Sequence, residues 1–174
     1  MGPVGSEREK VELRFAAVFA HLGAVRAYAA RRGSSDPDGI AAETMTIAWR
    51  RLADVPVGDA RPWVFATARN LLLAEFRRAR RGADAQPDRP ILEALAVPGL
   101  SVEIESALGA LSDLDREALV LVAWEELTPT EAAAVLGISA ITFRVRLMRA
   151  RKRFKLVLRD AADTLETTTE VGTA

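Results

Sequence analysis

The chain has 174 residues, enough for one ordinary domain or two small ones. It has no cysteine, which excludes a disulfide framework and a thiolate metal site and favours a cytosolic chain. Its 24 basic and 24 acidic residues cancel, the polar start Met1 to Lys10 is no signal peptide, and no apolar run nears the roughly 20 residues of a membrane span. The expectation is a cytoplasmic protein without membrane insertion.

Almost every segment reads as helix, because alanine and leucine dominate and period-two alternation is absent. A first helix is expected from about Glu9 to Arg32, with Phe15, Val18, Phe19, Leu22, Val25 and Ala29 on one apolar stripe. The turn Gly33 to Gly39 precedes a second helix from about Ile40 to Leu52. A loop from Asp54 to Arg61 carries Pro56 and Gly58. A third helix runs from near Pro62 to about Arg81 and ends in a cluster of arginines. Gly82 to Gly99 holds Pro87, Pro90 and Pro98 and reads as a linker, with a helical turn at Ile91 to Leu95. The fold class is therefore all-α: two small helical domains, residues 8–82 and 101–160, joined by a flexible linker at 83–100. The threonine-rich tail, 161–174, is expected to fray.

The second domain carries the most specific local signal. Ser112 can cap a helix whose first turn holds Asp113 and Asp115, and that helix should reach about Glu126. Thr128, Pro129 and Glu131 then form a capping box with proline at the first helical position. The short helix that follows stops at Gly137, Ile138 can plug between helices, and Ser139 caps a basic helix reaching about Leu158. A short helix, a glycine turn and a longer basic helix make a helix-turn-helix, although an ordinary helical hairpin shares the same caps. Phase weighs against the hairpin. Phe143, Leu147, Ala150, Phe154 and Leu158 share one stripe at about 100° per residue. Ile141, Val145, Met148, Arg149 and Lys152 lie opposite, with Arg144 on the shoulder.

Charge is also unevenly spread. Arg144 to Arg159 contains eight basic residues and no acidic one, and Arg69 to Arg81 contains five basic residues and only Glu75. Acidic residues gather at Asp113, Asp115, Glu117, Glu125, Glu126 and Glu131. Two basic stripes on a balanced body suit phosphate binding at two places, or two solvated helix faces.

The run Leu127 to Ser139, followed by Thr142-Phe143-Arg144 and Arg146 to Arg151, closely resembles the promoter-reading domain of extracytoplasmic-function (ECF) sigma factors of bacterial RNA polymerase. Leu111 to Leu119 resembles that domain's first helix. Asp38 to Met45 with Ala48-Trp49-Arg50 resembles the family's helix that docks on the coiled coil of the largest polymerase subunit. Trp63 to Leu72 resembles its helix facing the downstream promoter element. The resemblance covers roughly residues 12 to 158. Departures are Ile141 and Val145, where the family has a small residue and a serine, and Gly39 and Ala42, where it has an acidic residue and a glutamine.

The resemblance implies a sigma factor, not an enzyme, with core RNA polymerase and promoter DNA as partners and an anti-sigma protein as a further candidate. Arg144, Val145, Met148 and Arg149 become base-reading candidates for the upstream element, with Ser139 and Ile141 beside them. Arg146, Arg151, Lys152 and Arg153 become phosphate contacts. The loop Asp54 to Arg61 would hold an extruded base with Asn70 nearby, while Arg61, Arg69, Arg77, Arg78, Arg80 and Arg81 track the downstream strand. Asp38, Glu43, Met45 and Trp49 fall on the docking segment, with Asp36, Asp38 or Glu43 as compensating carboxylates. By helical position alone, Trp49, Trp63 and Trp124 read as core. His21 has no partner that would make a metal site, and no cofactor is expected. A DNA-binding regulator that never engages polymerase stays open, whereas an enzyme finds no nucleophile, phosphate-loop or metal-ligand pattern.

Overall fold

The structure is a computed structural model that describes residues 4–82 and 100–171, with side chains described for 7–81 and 100–160. Eight α-helices and one 3₁₀ turn account for the regular structure of the described residues, and no strand occurs among them. The expected linker and its helical turn at Ile91 to Leu95 fall at 83–99, outside the described residues.

The N-terminal half comprises α1 (Val4–Phe19), α2 (Leu22–Arg31), α3 (Pro37–Arg50), the 3₁₀ turn Leu52–Asp54 and α4 (Arg61–Gly82). The single first helix expected from Glu9 to Arg32 is divided. The His21 N–H bonds three residues back to Val18 O at 3.1 Å, and Gly23, a poor helix former, follows at once. Helix α3 starts earlier than expected because Asp36 caps it, accepting the Gly39 N–H at 2.8 Å, with Pro37 at the first turn. Val18, Val25, Tyr28, Ile40, Met45, Ala48, Val64, Phe65 and Leu72 are buried in this half.

The C-terminal half comprises α5 (Val102–Gly109), α6 (Asp113–Ala123), α7 (Pro129–Leu136) and α8 (Ala140–Val171). Arg116 is 6 % exposed and donates to the carbonyls of Leu108, Gly109 and Leu111, tying α6 to the end of α5. Helix α6 ends at Ala123, short of the expected Glu126. The chain reverses there with Glu126 in a left-handed conformation (φ 52°), and Leu127 N–H bonds Leu121 O at 3.1 Å. Helix α8 runs past the expected end at Leu158 to Val171, since Ala161, Ala162 and Leu165 continue a helix-forming sequence into the segment expected to fray. The two halves pack together, with α4 against α7.

Candidate nucleic-acid and polymerase interfaces

The helix-turn-helix forms as its local chemistry dictates. Thr128 Oγ1 accepts from Glu131 N at 3.3 Å while Glu131 Oε2 accepts from Thr128 N at 2.6 Å, completing the capping box. Gly137 is left-handed (φ 68°), and the N–H groups of Gly137 and Ile138 close on the carbonyls of Ala134 and Ala133. Ser139 Oγ accepts from Thr142 N at 3.1 Å and so caps α8, a role that ties the side chain to its own backbone. Phe143, Leu147 and Ala150 are buried, and Phe154 packs on the same core.

That anchorage fixes the opposite face of α8 in solvent. Ile141 is 73 % exposed, Met148 63 % and Val145 39 %. Arg144, Arg149, Arg151, Lys152 and Arg153 are exposed on the same helix. Arg144, Met148, Arg151, Lys152 and Lys155 share a shallow groove with Pro129 at the start of α7. Among the described residues none of Arg144, Arg149, Arg151 and Lys152 has an acidic partner. Arg146 differs: it is half-buried and turns toward Asp115 of α6 at 3.6 Å, so its reach toward a phosphate is reduced.

On α4, Asn70, Arg77, Arg78, Arg80 and Arg81 are exposed. Arg69 is not. It makes a bidentate pair with Glu117 of α6, at 2.7 and 3.0 Å, with Glu117 almost fully buried. Arg61 also points into the other half, donating to the Glu125 carbonyl. The loop before α4 lines a cavity of about 600 Å³ through Val55, Pro56, Val57, Gly58 and Ala60, against α1 and His21. Asn70, expected near this loop, is exposed further along α4 and does not line the cavity. Burial and the nearby Arg61 charge lower the His21 pKa. No metal-ligand cluster occurs among the described residues.

Helix α3 presents fewer free groups than its sequence suggests. Glu43 is exposed at a groove that also includes Gly39, Leu71, Glu75 and Arg78. Asp38 is exposed but paired with Arg26 at 2.6 Å. Asp36, one of the expected compensating carboxylates, is committed to capping, and a Cβ on residue 39 would lie 2.0 Å from Asp36 Oδ2. Met45, expected at the docking surface, is only 4 % exposed: it occupies the inward face of α3 and offers nothing to a partner. Trp49 corrects the opposite expectation. It is 51 % exposed, with the Phe15 ring edge-on at 4.8 Å, and is a surface residue. Trp63 and Trp124 are half-buried against the core.

Three comparisons bear on this geometry. Residues 101–154 match the family Sigma-70, region 4, which spans the helix-turn-helix. The RNA polymerase sigma factor CnrH of Cupriavidus metallidurans is 32 % identical over 164 residues, covering 83 % of this chain and 86 % of CnrH. The ECF RNA polymerase sigma factor SigM of Bacillus subtilis is 32 % identical over 120 residues, covering 65 % of this chain and 74 % of SigM. The chain belongs to the ECF RNA polymerase sigma factors. The solved structure of CnrH in complex with the cytosolic domain of CnrY has a TM-score of 0.58 to this sigma factor at 29 % identity, covering 84 % of this chain and 88 % of that one. The all-helical fold expected from sequence is thus shared with a relative.

Family membership makes the protein a transcription regulator. No helix of the described residues is long and apolar enough to cross a membrane. The feature of this sigma factor that sequence reasoning missed is the pairing between its halves. Glu125 is 4 % exposed and meets Arg31 of α2 and Arg32 just after it; Glu117 is 2 % exposed and meets Arg69. Read along the chain, both glutamates belong to a solvated acidic cluster, and only nonlocal packing buries them. The nearest signal was compositional: an acidic cluster at Asp113 to Glu131 in a chain whose N-terminal half holds Arg31, Arg32, Arg61 and Arg69.

Proposed function

We propose that this sigma factor docks on core RNA polymerase through the exposed part of α3, reads an upstream promoter element with the outward face of α8, and engages and opens the downstream element with α4 and the loop Asp54 to Arg61. The observation that carries the reading is the presentation of α8. Its apolar stripe is locked into the domain, and Arg144, Val145, Met148 and Arg149 stand in solvent where a major groove could receive them. Arginine can bond guanine with two hydrogen bonds, and the methyl-bearing Val145 and Met148 suit a thymine methyl. Arg151, Lys152 and Arg153 supply phosphate contacts that position the helix.

Downstream, Asn70 offers both a donor and an acceptor to a base edge, and Arg77, Arg78, Arg80 and Arg81 extend a basic track along α4. Arg61 and Arg69 join it only when released from Glu125 and Glu117. On α3, Glu43 and Trp49 are the groups available to polymerase. The relative CnrH has been solved with the cytosolic domain of CnrY. We extend a protein partner of the anti-sigma kind to this chain, with inhibition of its transcription by a purified candidate as the check.

Docking is tested by gel filtration of the chain mixed with core enzyme, followed by capture of genomic fragments on the mixture. Co-elution with core and retention of discrete fragments by the mixture support the reading. A chain that elutes apart from core yet captures the same fragments alone is a DNA-binding regulator instead.

A further inference from the structure

The outward face of α8 is apolar along its middle and basic at its sides. Ile141, Val145 and Met148 recur at spacings of four and three residues, so the helical turn brings them into one line. All three stand in solvent. Single exposed apolar residues are ordinary, but three in phase on one face form a patch. The packing of α8 does not call for them, because its core contacts come from Phe143, Leu147 and Ala150 on the opposite side. Ile141 and Val145 are also the two positions of this helix that depart from the sigma-factor pattern.

The surroundings of this seam select its occupant. Arg144 and Arg149 flank it and Lys152 continues it, and none of the three has an acidic partner among the described residues. No carboxylate occurs on α8 between Ala140 and Arg159. An apolar strip between free cations fits a DNA major groove, where pyrimidine C5 methyl groups line the floor and phosphates the rims. Ile141 lies in the first turn of α8, the end at which a recognition helix reaches base edges. At about 1.5 Å per residue, Ile141 to Met148 spans about 10 Å, or about three base-pair steps. The branched side chains of Ile141 and Val145 hold few rotamers and present their methyl groups at fixed positions, whereas Met148 is flexible and adapts.

We infer that Ile141, Val145 and Met148 together read the C5 methyl groups of adjacent pyrimidines in the upstream element, with Ile141 as a specificity-determining residue beside the other two. What this seam recognises is the methyl group, carried by thymine or by 5-methylcytosine, and not the hydrogen-bonding edge of the base. Arg144 and Arg149 remain the candidates for guanine on either side of it. The inference deepens the proposed function: it rests on α8 lying in the major groove of the upstream element, and it names the chemistry by which one element is preferred to another.

The test loads core RNA polymerase with the full chain, selects from randomised DNA duplexes, and rebuilds the enriched upstream element with modified bases. The enriched element should contain adjacent A·T pairs. Deoxyuridine in place of its thymines removes only the methyl groups, and should weaken holoenzyme binding about fourfold for each methyl in contact. At a position where thymine is read, 5-methylcytosine paired with guanine should bind more tightly than unmodified cytosine, again by about fourfold. In Ile141→Ala/Val145→Ala both differences should shrink toward none, and both positions are exposed, so the fold is not at stake. Equal binding of the thymine and deoxyuridine elements by the parent chain overturns the inference without any variant, and leaves the sigma function standing. A methyl effect undiminished in the double variant also overturns it. A double variant that binds DNA as the parent does, methyl effect included, would move the seam to a protein partner. Enrichment of no upstream element would overturn the proposed function and the inference together.

Discussion

Helices α8 and α3 are both surface helices of small bundles, and both carry candidate contacts to a macromolecular partner. They differ in how many of those contacts remain free. On α8, one face is consumed by packing through Phe143, Leu147 and Ala150, and the other is left to solvent with arginines that have no acidic partner among the described residues. On α3, Asp36 caps the helix, Asp38 pairs with Arg26 and Met45 is buried, so Glu43 and Trp49 alone stay available. A helix face read from periodicity gives the side chains that could act. Whether they are free depends on partners elsewhere in the chain, and here α8 is poised while α3 is largely engaged.

The contrast between the two faces of α8 is broken most severely by Phe143→Ala. Removing a fully buried ring should cost about 3–5 kcal/mol of stability, read as a lowered urea midpoint. Met148→Ala, on the exposed face, should stay within about 0.5 kcal/mol in the same measurement. Similar losses for the two would erase the distinction on which the recognition face rests.

Arg144→Ala and Arg149→Ala sharpen the same comparison. Each should weaken binding of polymerase holoenzyme to its upstream element by about 1–3 kcal/mol while leaving the urea midpoint unchanged. A uniform loss across unrelated DNA sequences would instead move these residues to the phosphate-contacting class.

For α3 the informative change is Gly39→Ala. In a helix interior it normally stabilises by up to about 1 kcal/mol. Here the new Cβ collides with the Asp36 carboxylate, so the cap should be lost and the net effect should be destabilising, by about 1 kcal/mol or less. A raised melting temperature would show that the cap contributes nothing.

The smallest effect is on the acid limb of stability. Burial pushes the Glu75 pKa up, but hydrogen bonds from Ser35 and Ser34 outweigh it and bring the carboxyl below its ordinary 4.5. A depressed folded value contributes stability above the unfolded pKa, and that contribution is lost as pH falls through the folded value. Glu75→Gln should therefore lower stability at neutral pH and flatten the decline below pH 4.5. An unaltered slope there would assign the acid sensitivity to other groups.

The legible parts of this sigma factor are those set by near neighbours in sequence. The capping box at Thr128, the left-handed Gly137 and the stripe from Phe143 follow from a few residues each, and they place the helix-turn-helix to within a residue or two. The break at His21 and the early end of α6 were not legible, because a single three-residue hydrogen bond and a left-handed glutamate decide them. Trp49 illustrates the harder case. It lies in the last turn of α3 with its ring against Phe15 of α1, yet half of it stays in solvent, and that nonlocal packing is not written in the helix pattern. The burial of Glu117 and Glu125 was beyond any local pattern, since their arginine partners lie in the other half of the chain.

The most direct test of the central claim is run-off transcription from fragmented genomic DNA of the source bacterium, with core RNA polymerase in the presence and absence of this chain. The account predicts discrete transcripts that depend on the chain, with start sites sharing upstream and downstream elements and with yield lost in Arg144→Ala. No chain-dependent transcript, with core enzyme active on a control sigma factor, would contradict it.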